Sequence, residues 1–273
     1  MRITGFLLLG LGVLSFLQNS SLSALTYPLL WWGALLVLDA VNFKKWGASP
    51  MRSNPGFFVG LALPLSVIYW LFFELVNFAF PQWYYVGIIQ QPVLAAILTF
   101  VSFATVIPAI IEFVWLLAGR VPVLNIGKGL APFSVLVGIF FAALPFFSTN
   151  FWLNQAVWIA PFLILAPFLN GKTDPPATLR VWRLVGFAGL LSGFLWEFFN
   201  SFAAVRWEYG ILTDQLHLFE MPLLGYLGFI PFAFSTVAVY LFAKKFLRPG
   251  GWLGGLLYAA AFLLSYIFVL RLI

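Results

Sequence analysis

Nine predominantly apolar stretches recur along this chain, and they leave few ways for it to fold. They lie at 3–18, 25–43, 57–79, 93–118, 131–147, 151–169, 183–204, 222–243 and 252–271. A helix needs about 20 mainly apolar residues to cross the hydrocarbon core of a bilayer, and most of these stretches approach or meet that length. Charged residues make up only 8% of the 273, against roughly 25% in soluble domains, too few to coat a water-facing surface. The reading is an all-α, polytopic membrane helix bundle of about nine transmembrane helices, one integral membrane domain over 1–273 with no separate soluble part. Pro64, Pro108, Pro145, Pro161 and Pro231 fall within spans, where neighbouring helices can re-satisfy the freed backbone groups. The stretch at 3–18 is short, follows Arg2 and precedes Ser21-Leu22-Ser23-Ala24. A cleaved signal peptide is therefore its alternative reading, and the internal repeat described below favours a retained helix.

Basic residues set the orientation. With the amino terminus in the cytoplasm, every basic residue except Arg206 and Arg271 falls on the inner side, in or beside loops that carry Lys44, Lys45, Arg52, Arg120, Lys128, Lys172, Arg180, Arg183, Lys244, Lys245 and Arg248. The carboxyl terminus is then outside, and the cell membrane is the expected location. This topology accounts for the net charge of +6 without a nucleic-acid partner, for which no sequence signature is present. There is no cysteine and a single histidine, His217, which excludes disulfides, thiolate chemistry and a multi-histidine metal cage. No glycine-rich phosphate loop, zinc helix motif or serine elbow occurs, so neither a cofactor nor a metal is expected.

The chain also repeats itself. Phe73-Glu74-Leu75-Val76-Asn77, followed by Trp83 and Tyr85, matches Trp196-Glu197-Phe198-Phe199-Asn200, followed by Trp207 and Tyr209. Upstream, Asn42 before Lys44 echoes Asn170 before Lys172. Downstream, Val101-Ser102-Phe103-Ala104 echoes Ile230-Pro231-Phe232-Ala233. The expected division is a first repeat over 3–120, a second over 131–243 and an extra terminal helix over 252–271. Each repeat has an even number of spans, so the copies run parallel around an axis near the membrane normal.

Ionisable groups at membrane depth face a bundle interior or a wet cavity. Glu74 and Glu197 are such groups, near the outer ends of their helices. Asn77 and Asn200 lie three residues on and share a helical face with them, so each pair can hold a ligand or bond internally. The outer loop after the first copy is uncharged, whereas the loop at 205–221 carries Arg206, Glu208, Asp214, His217 and Glu220. That asymmetry points to a site in the second half. Glu220 before Met221-Pro222 can equally cap a helix N-terminus. His217 can move protons near neutral pH, and nothing in the spacing of Glu197, His217 and Glu220 requires a metal. Glu112 is expected to pair with Arg120 or line a cavity, and Asp39 to reach Lys44 or water. Trp31, Trp32, Trp83, Tyr84, Tyr85, Trp207 and Tyr209 are expected in the outer interfacial belt.

Where Trp-acid-x-x-Asn runs on to Trp-x-Tyr and then to an acid and proline, the chain resembles the intramembrane lycopene cyclase domain family. The likeness covers roughly 25–120 and 150–243 and rests on short motifs. Trp196-Glu197 and Phe73-Glu74 stand at the family's Trp-Asp element, and Trp207-x-Tyr209 and Trp83-x-Tyr85 at its Trp-x-Tyr element. The chain departs from the pattern in having Glu for Asp. It also lacks the glutamate pair that follows proline, with Glu220-Met221-Pro222 in one copy and Pro92-Val93-Leu94 in the other. The resemblance implies tandem helical units and a carotenoid or other isoprenoid substrate cyclised or isomerised by acid. That chemistry needs a neutral carboxylic acid, which apolar surroundings favour, and aromatic faces to shield a carbocation. On that reading Glu197 is the proton donor, Asn200 its orienter and Glu220 the second carboxylate, all catalytic. Trp207 and Tyr209 then form the cation-stabilising wall, and Glu74, Asn77, Arg206 and His217 join them in binding substrate. Two other classes stay open: a small-molecule or lipid transporter, and a non-catalytic subunit or assembly factor of a membrane complex. The expected partner is a membrane lipid or isoprenoid ligand, with a homo-oligomer or a membrane-complex partner as further options.

Overall fold

The computed structural model describes residues 1–17, 21–124, 126, 128–169, 179–248 and 252–273; Asn170 and Lys172, used above in aligning the copies, lie outside them. Its principal helices are α1 (Arg2–Leu17), α2 (Thr26–Trp46), α3 (Leu63–Ala79), α4 (Pro92–Phe103), α5 (Val106–Ala118), α6 (Ala131–Ala143), α7 (Ala160–Leu169), α8 (Leu179–Ser201), α9 (Phe229–Phe246) and α10 (Trp252–Leu270). Short helical turns extend several of them. Among the described residues, seven helical stretches are long and apolar enough to cross a membrane: Leu22–Trp46, Pro55–Ala79, Pro92–Ala118, Phe151–Leu169, Leu179–Ser201, Leu223–Phe246 and Trp252–Leu270. The two other apolar stretches of the sequence form shorter helices, Arg2–Leu17 and Ala131–Phe146. These occupy the first and fifth of the nine expected spans.

Proline shapes two of the long stretches. Pro64 has no N–H, and the chain before it widens into a π-turn at Phe58–Ala62. There Leu63 N–H bonds the Phe58 carbonyl, five residues back, which leaves the Val59 carbonyl without its usual helical donor. The Tyr258 hydroxyl of α10 supplies one at 2.7 Å and so ties the last helix to this turn. Pro108 likewise has no N–H for the Ala104 carbonyl, and the helix breaks there between α4 and α5. Ser66 of α3 spans the break, donating to the Phe103 carbonyl at 2.7 Å and accepting from Ile107 N–H at 2.9 Å.

At one end of the bundle, lysines close helix C-termini. Lys45 of α2 donates to the Leu116 carbonyl of α5 and Lys245 of α9 to the Phe168 carbonyl of α7, each at 2.9 Å. Asp39, fully buried, accepts from Arg52 at 2.9 Å and from Met51 N–H at 3.1 Å, so Arg52 and not Lys44 is its basic partner. Glu112, also fully buried, accepts from Asn42 at 2.6 Å; of the two expected settings, a pairing with Arg120 or a cavity wall, the first is replaced by this amide.

The core is aromatic. Trp31, Phe73 and Phe232 are fully enclosed, Phe73 stacks on Trp158 at 4.7 Å, and Phe232 stacks on Tyr69 at 5.6 Å. Trp31 and Trp83, at 0% and 7% exposure, belong to this core and not to an interfacial belt.

At the opposite end of α3 from the lysines, the loops that follow α3 and α8 meet. β1 (Trp83–Val86) follows α3, β2 (Arg206–Tyr209) follows α8, and they pair antiparallel. The register sets Trp83 against Tyr209, Tyr84 against Glu208, Tyr85 against Trp207 and Val86 against Arg206. Gly87, which ends β1, lies at φ +72, where an added Cβ would strike the Ala204 carbonyl, so only glycine allows the ribbon its close return. A second small ribbon joins β3 (His217–Leu218) to β4 (Met221–Pro222).

Candidate functional site: an aromatic cavity beneath the paired ribbon

Side chains alternate across a ribbon. In β1–β2 this turns Trp83, Tyr85, Trp207 and Tyr209 together onto the wall of one cavity of about 390 Å³, within the roughly 300–1,000 Å³ range of ligand pockets. Trp70, Trp158, Phe229 and Phe232 add further aromatic wall. Glu197 is the one acidic residue among those lining it, and no lysine, arginine or histidine is among them.

The two copies of the motif use their polar groups alike up to a point. Asn77 donates to the Trp83 carbonyl at 2.8 Å and accepts from Gln82 and Trp83 N–H at 2.7 and 3.2 Å. Asn200 donates to the Trp207 carbonyl at 2.8 Å and accepts from Trp207 N–H at 3.0 Å. Each amide thus completes the strand that follows its helix. Each glutamate receives the Trp and Tyr of its own strand: Trp83 and Tyr85 on Glu74, Trp207 at 3.3 Å and Tyr209 at 2.8 Å on Glu197.

The copies then part. Glu74 also accepts from Trp70, one turn earlier, at 2.7 Å, and both of its oxygens have donors. One turn before Glu197 stands Gly193, whose added Cβ would collide with the Phe229 ring. The third donor is missing there, and Glu197 Oε2 is buried without a partner among the described residues. The other oxygen is committed. Trp207 Nε1 can only donate, and it lies 3.1 Å from Tyr209 Oη. The Tyr209 oxygen therefore accepts from Trp207 and turns its own hydrogen to Glu197 Oε1. Burial, followed by the adjacent Glu197 carboxyl, holds the Tyr209 phenol well above its ordinary range, which keeps that hydrogen in place. With Oε1 accepting from both, a proton carried by Glu197 sits on Oε2.

The other charged residues of the second loop lie apart from the cavity wall. Arg206 pairs with Glu208 at 2.7 Å and approaches Glu220 at 4.0 Å, partly exposed contacts of small energetic weight. Glu220 sits in the β3–β4 turn after Phe219, whose φ of +57 is held by ring contacts to Phe194 and Phe198 at 5.5 and 5.6 Å. His217 places Nδ1 2.7 Å from the Gln215 carbonyl and lines no part of the cavity. Among the described residues, no group of three or more His, Cys, Asp or Glu could hold a metal ion.

The structure adds a feature that sequence reading passed over. Trp158 Nε1 donates to Gln155 Oε1 at 3.1 Å, and Gln155 Nε2 donates to Gln82 Oε1 at 3.0 Å; all three residues line the cavity. Two glutamines among apolar neighbours were the available signal. No protein-family model, curated protein or solved structure matches the chain.

Proposed function

We propose that this integral membrane protein takes a lipophilic, isoprenoid-like ligand into the outer cavity and that Glu197 acts on it as an acid. The observation that carries this reading is the state of that carboxyl: one oxygen fixed as an acceptor by Trp207 and Tyr209, the other without a partner, in an aromatic wall. Proton transfer from Oε2 to a double bond gives a carbocation, which the faces of the surrounding rings stabilise. A second double bond of the ligand attacks the cation, closing a ring and moving the positive charge, or the chain stays open. Loss of a proton from a carbon beside the charge then leaves a double bond in a ring or in a shifted position, and Glu197 regains a proton. The net change is an isomerisation. Glu74, saturated with donors, and Asn77 and Asn200, bound to strand backbone, serve the frame. Glu220, Arg206 and His217 form the loop outside it. The likeness to the lycopene cyclase domain supports the reaction class, and the missing glutamate pair leaves Glu197 as the acid.

The same reading counts nine spans, with the amino terminus in the cytoplasm, the carboxyl terminus and both ribbons outside, and parallel repeats at 3–120 and 131–243. The matched Glu, Asn, Trp and Tyr bonds of the two copies support the duplication. Lysines gathered at the end opposite the ribbons support the orientation.

The test is turnover of acyclic isoprenoids by the purified protein in D2O. Acid-initiated isomerisation adds one deuterium to the product, and Glu197→Gln abolishes it. An isomer formed without deuterium, or formed equally by the variant, rules out Glu197 as the acid.

A further inference from the structure

Resting on the ligand-binding reading of this cavity, we infer that the ligand is a neutral lipophile bearing an oxygen acceptor, and that Gln82 Nε2 and Trp196 Nε1 are the donors that select it. The polarity of the glutamine relay is fixed from one end. An indole N–H only donates, so the atom of Gln155 that faces Trp158 at 3.1 Å is its oxygen. Gln155 then turns its NH2 towards Gln82, which must answer with its own oxygen, at 3.0 Å. The free end of the Gln82 amide is therefore Nε2. It is buried and has no acceptor among the described residues, and the same holds for Trp196 Nε1. Both residues line the cavity.

A buried donor left unpaired is costly and calls for an explanation in the molecule's working state. Both atoms are covered by neighbouring groups in this arrangement, so an incoming oxygen meets them after a small rotation of the side chains. An ether, carbonyl or hydroxyl oxygen satisfies such donors, and a bare hydrocarbon leaves them unpaired. A phosphate or carboxylate is disfavoured for a separate reason. The lining residues include Glu197 and no cationic side chain, so an anion would enter without a counter-charge.

The experiment uses the full chain in lipid nanodiscs and follows quenching of tryptophan fluorescence. The probes share one skeleton: farnesyl methyl ether, which keeps an oxygen acceptor, the hydrocarbon farnesene, and farnesyl diphosphate, each titrated by mole fraction in the bilayer. The expected result is about five- to tenfold tighter binding of the ether than of farnesene, the scale of one neutral hydrogen bond. That preference falls in Gln82→Met and in Trp196→Phe and reaches near unity in the double variant, with farnesene binding retained, and the diphosphate does not compete. Trp196→Phe removes only the indole donor and decides the matter if Gln82→Met does not fold. Equal binding of ether and farnesene by wild type, or competition by the diphosphate, overturns the inference and leaves the lipophilic cavity standing. Failure of every probe to bind overturns the cavity reading as well.

Discussion

Tyr84 stands opposite Glu208 across the β1–β2 ribbon, and its hydroxyl donates to the Glu208 carboxylate at 3.0 Å. Counterparts in the two loops are 124 residues apart, as Trp83 is from Trp207, so Tyr84 faces its own counterpart. The flanking rungs are reciprocal, Trp83 with Tyr209 and Tyr85 with Trp207. That is the pattern of a two-fold contact, in which residue i meets j and j meets i. Two parallel repeats about an axis through this rung would produce it.

The rung can be tested by cross-linking, because the chain has no cysteine. Directly opposed residues have Cα atoms about 4.5–5.5 Å apart, within the range a disulfide bridges. Tyr84→Cys with Glu208→Cys is expected to close under mild oxidation and to resist alkylation by a maleimide reagent. Tyr84→Cys with Arg206→Cys, two positions out of register, is expected to stay alkylated. The reverse result would show a different register.

The two glutamates should respond differently to loss of the carboxylate. Glu74→Gln can keep its carbonyl towards Trp70 and Tyr85 but turns its NH2 onto the Trp83 indole N–H, and its stability loss is expected at about 1–3 kcal/mol, read as a lower melting temperature in detergent. Glu197→Gln can keep its carbonyl towards Trp207 and Tyr209 and turn its NH2 to the unpartnered side. Its melting temperature should fall less than that of Glu74→Gln. Equal losses would contradict the division of roles.

Gly193 is where the copies part, and its replacement should be felt. Gly193→Ala drives a methyl group into the Phe229 ring, and overpacking of this kind costs about 1–3 kcal/mol. Gly193→Ala with Phe229→Leu should recover part of the loss. A neutral Gly193→Ala by thermal melting would mean that the ring is free to move.

Tyr258→Phe leaves the Val59 carbonyl of the π-turn unpaired. The expected cost is about 1 kcal/mol, with earlier proteolysis of α10 relative to the rest of the chain. An unchanged melt and digestion pattern would mean that α10 is held by packing alone.

Apolar length made the helices legible in the sequence, and recurrence of Glu, Asn, Trp and Tyr drew attention to both motifs. What the asparagines do was not legible. Spacing of three puts Asn200 on the face of Glu197, yet its amide reaches forward to the backbone of Trp207, and only the folded loop shows that. The ribbons were also missed, because their pairing joins loops far apart in sequence and each strand is too short to carry a pattern. The contrast of Trp70 with Gly193 was present at the same distance before each glutamate. Its meaning depends on where Phe229 packs. Loop charge points to Arg206, His217 and Glu220 beside Glu197, and of these only Glu197 lines the cavity, because charge in a solvated loop is cheap and gives no sign of depth.

The most direct measurement is mass spectrometry of what the purified protein carries. Wild type, Glu197→Gln and Glu74→Gln are extracted from mild detergent into organic solvent and compared. The account predicts an isoprenoid-like lipophile recovered with wild type, altered in amount or identity by Glu197→Gln and unaltered, per folded molecule, by Glu74→Gln. Bulk phospholipid alone, in equal amounts from all three, would contradict it.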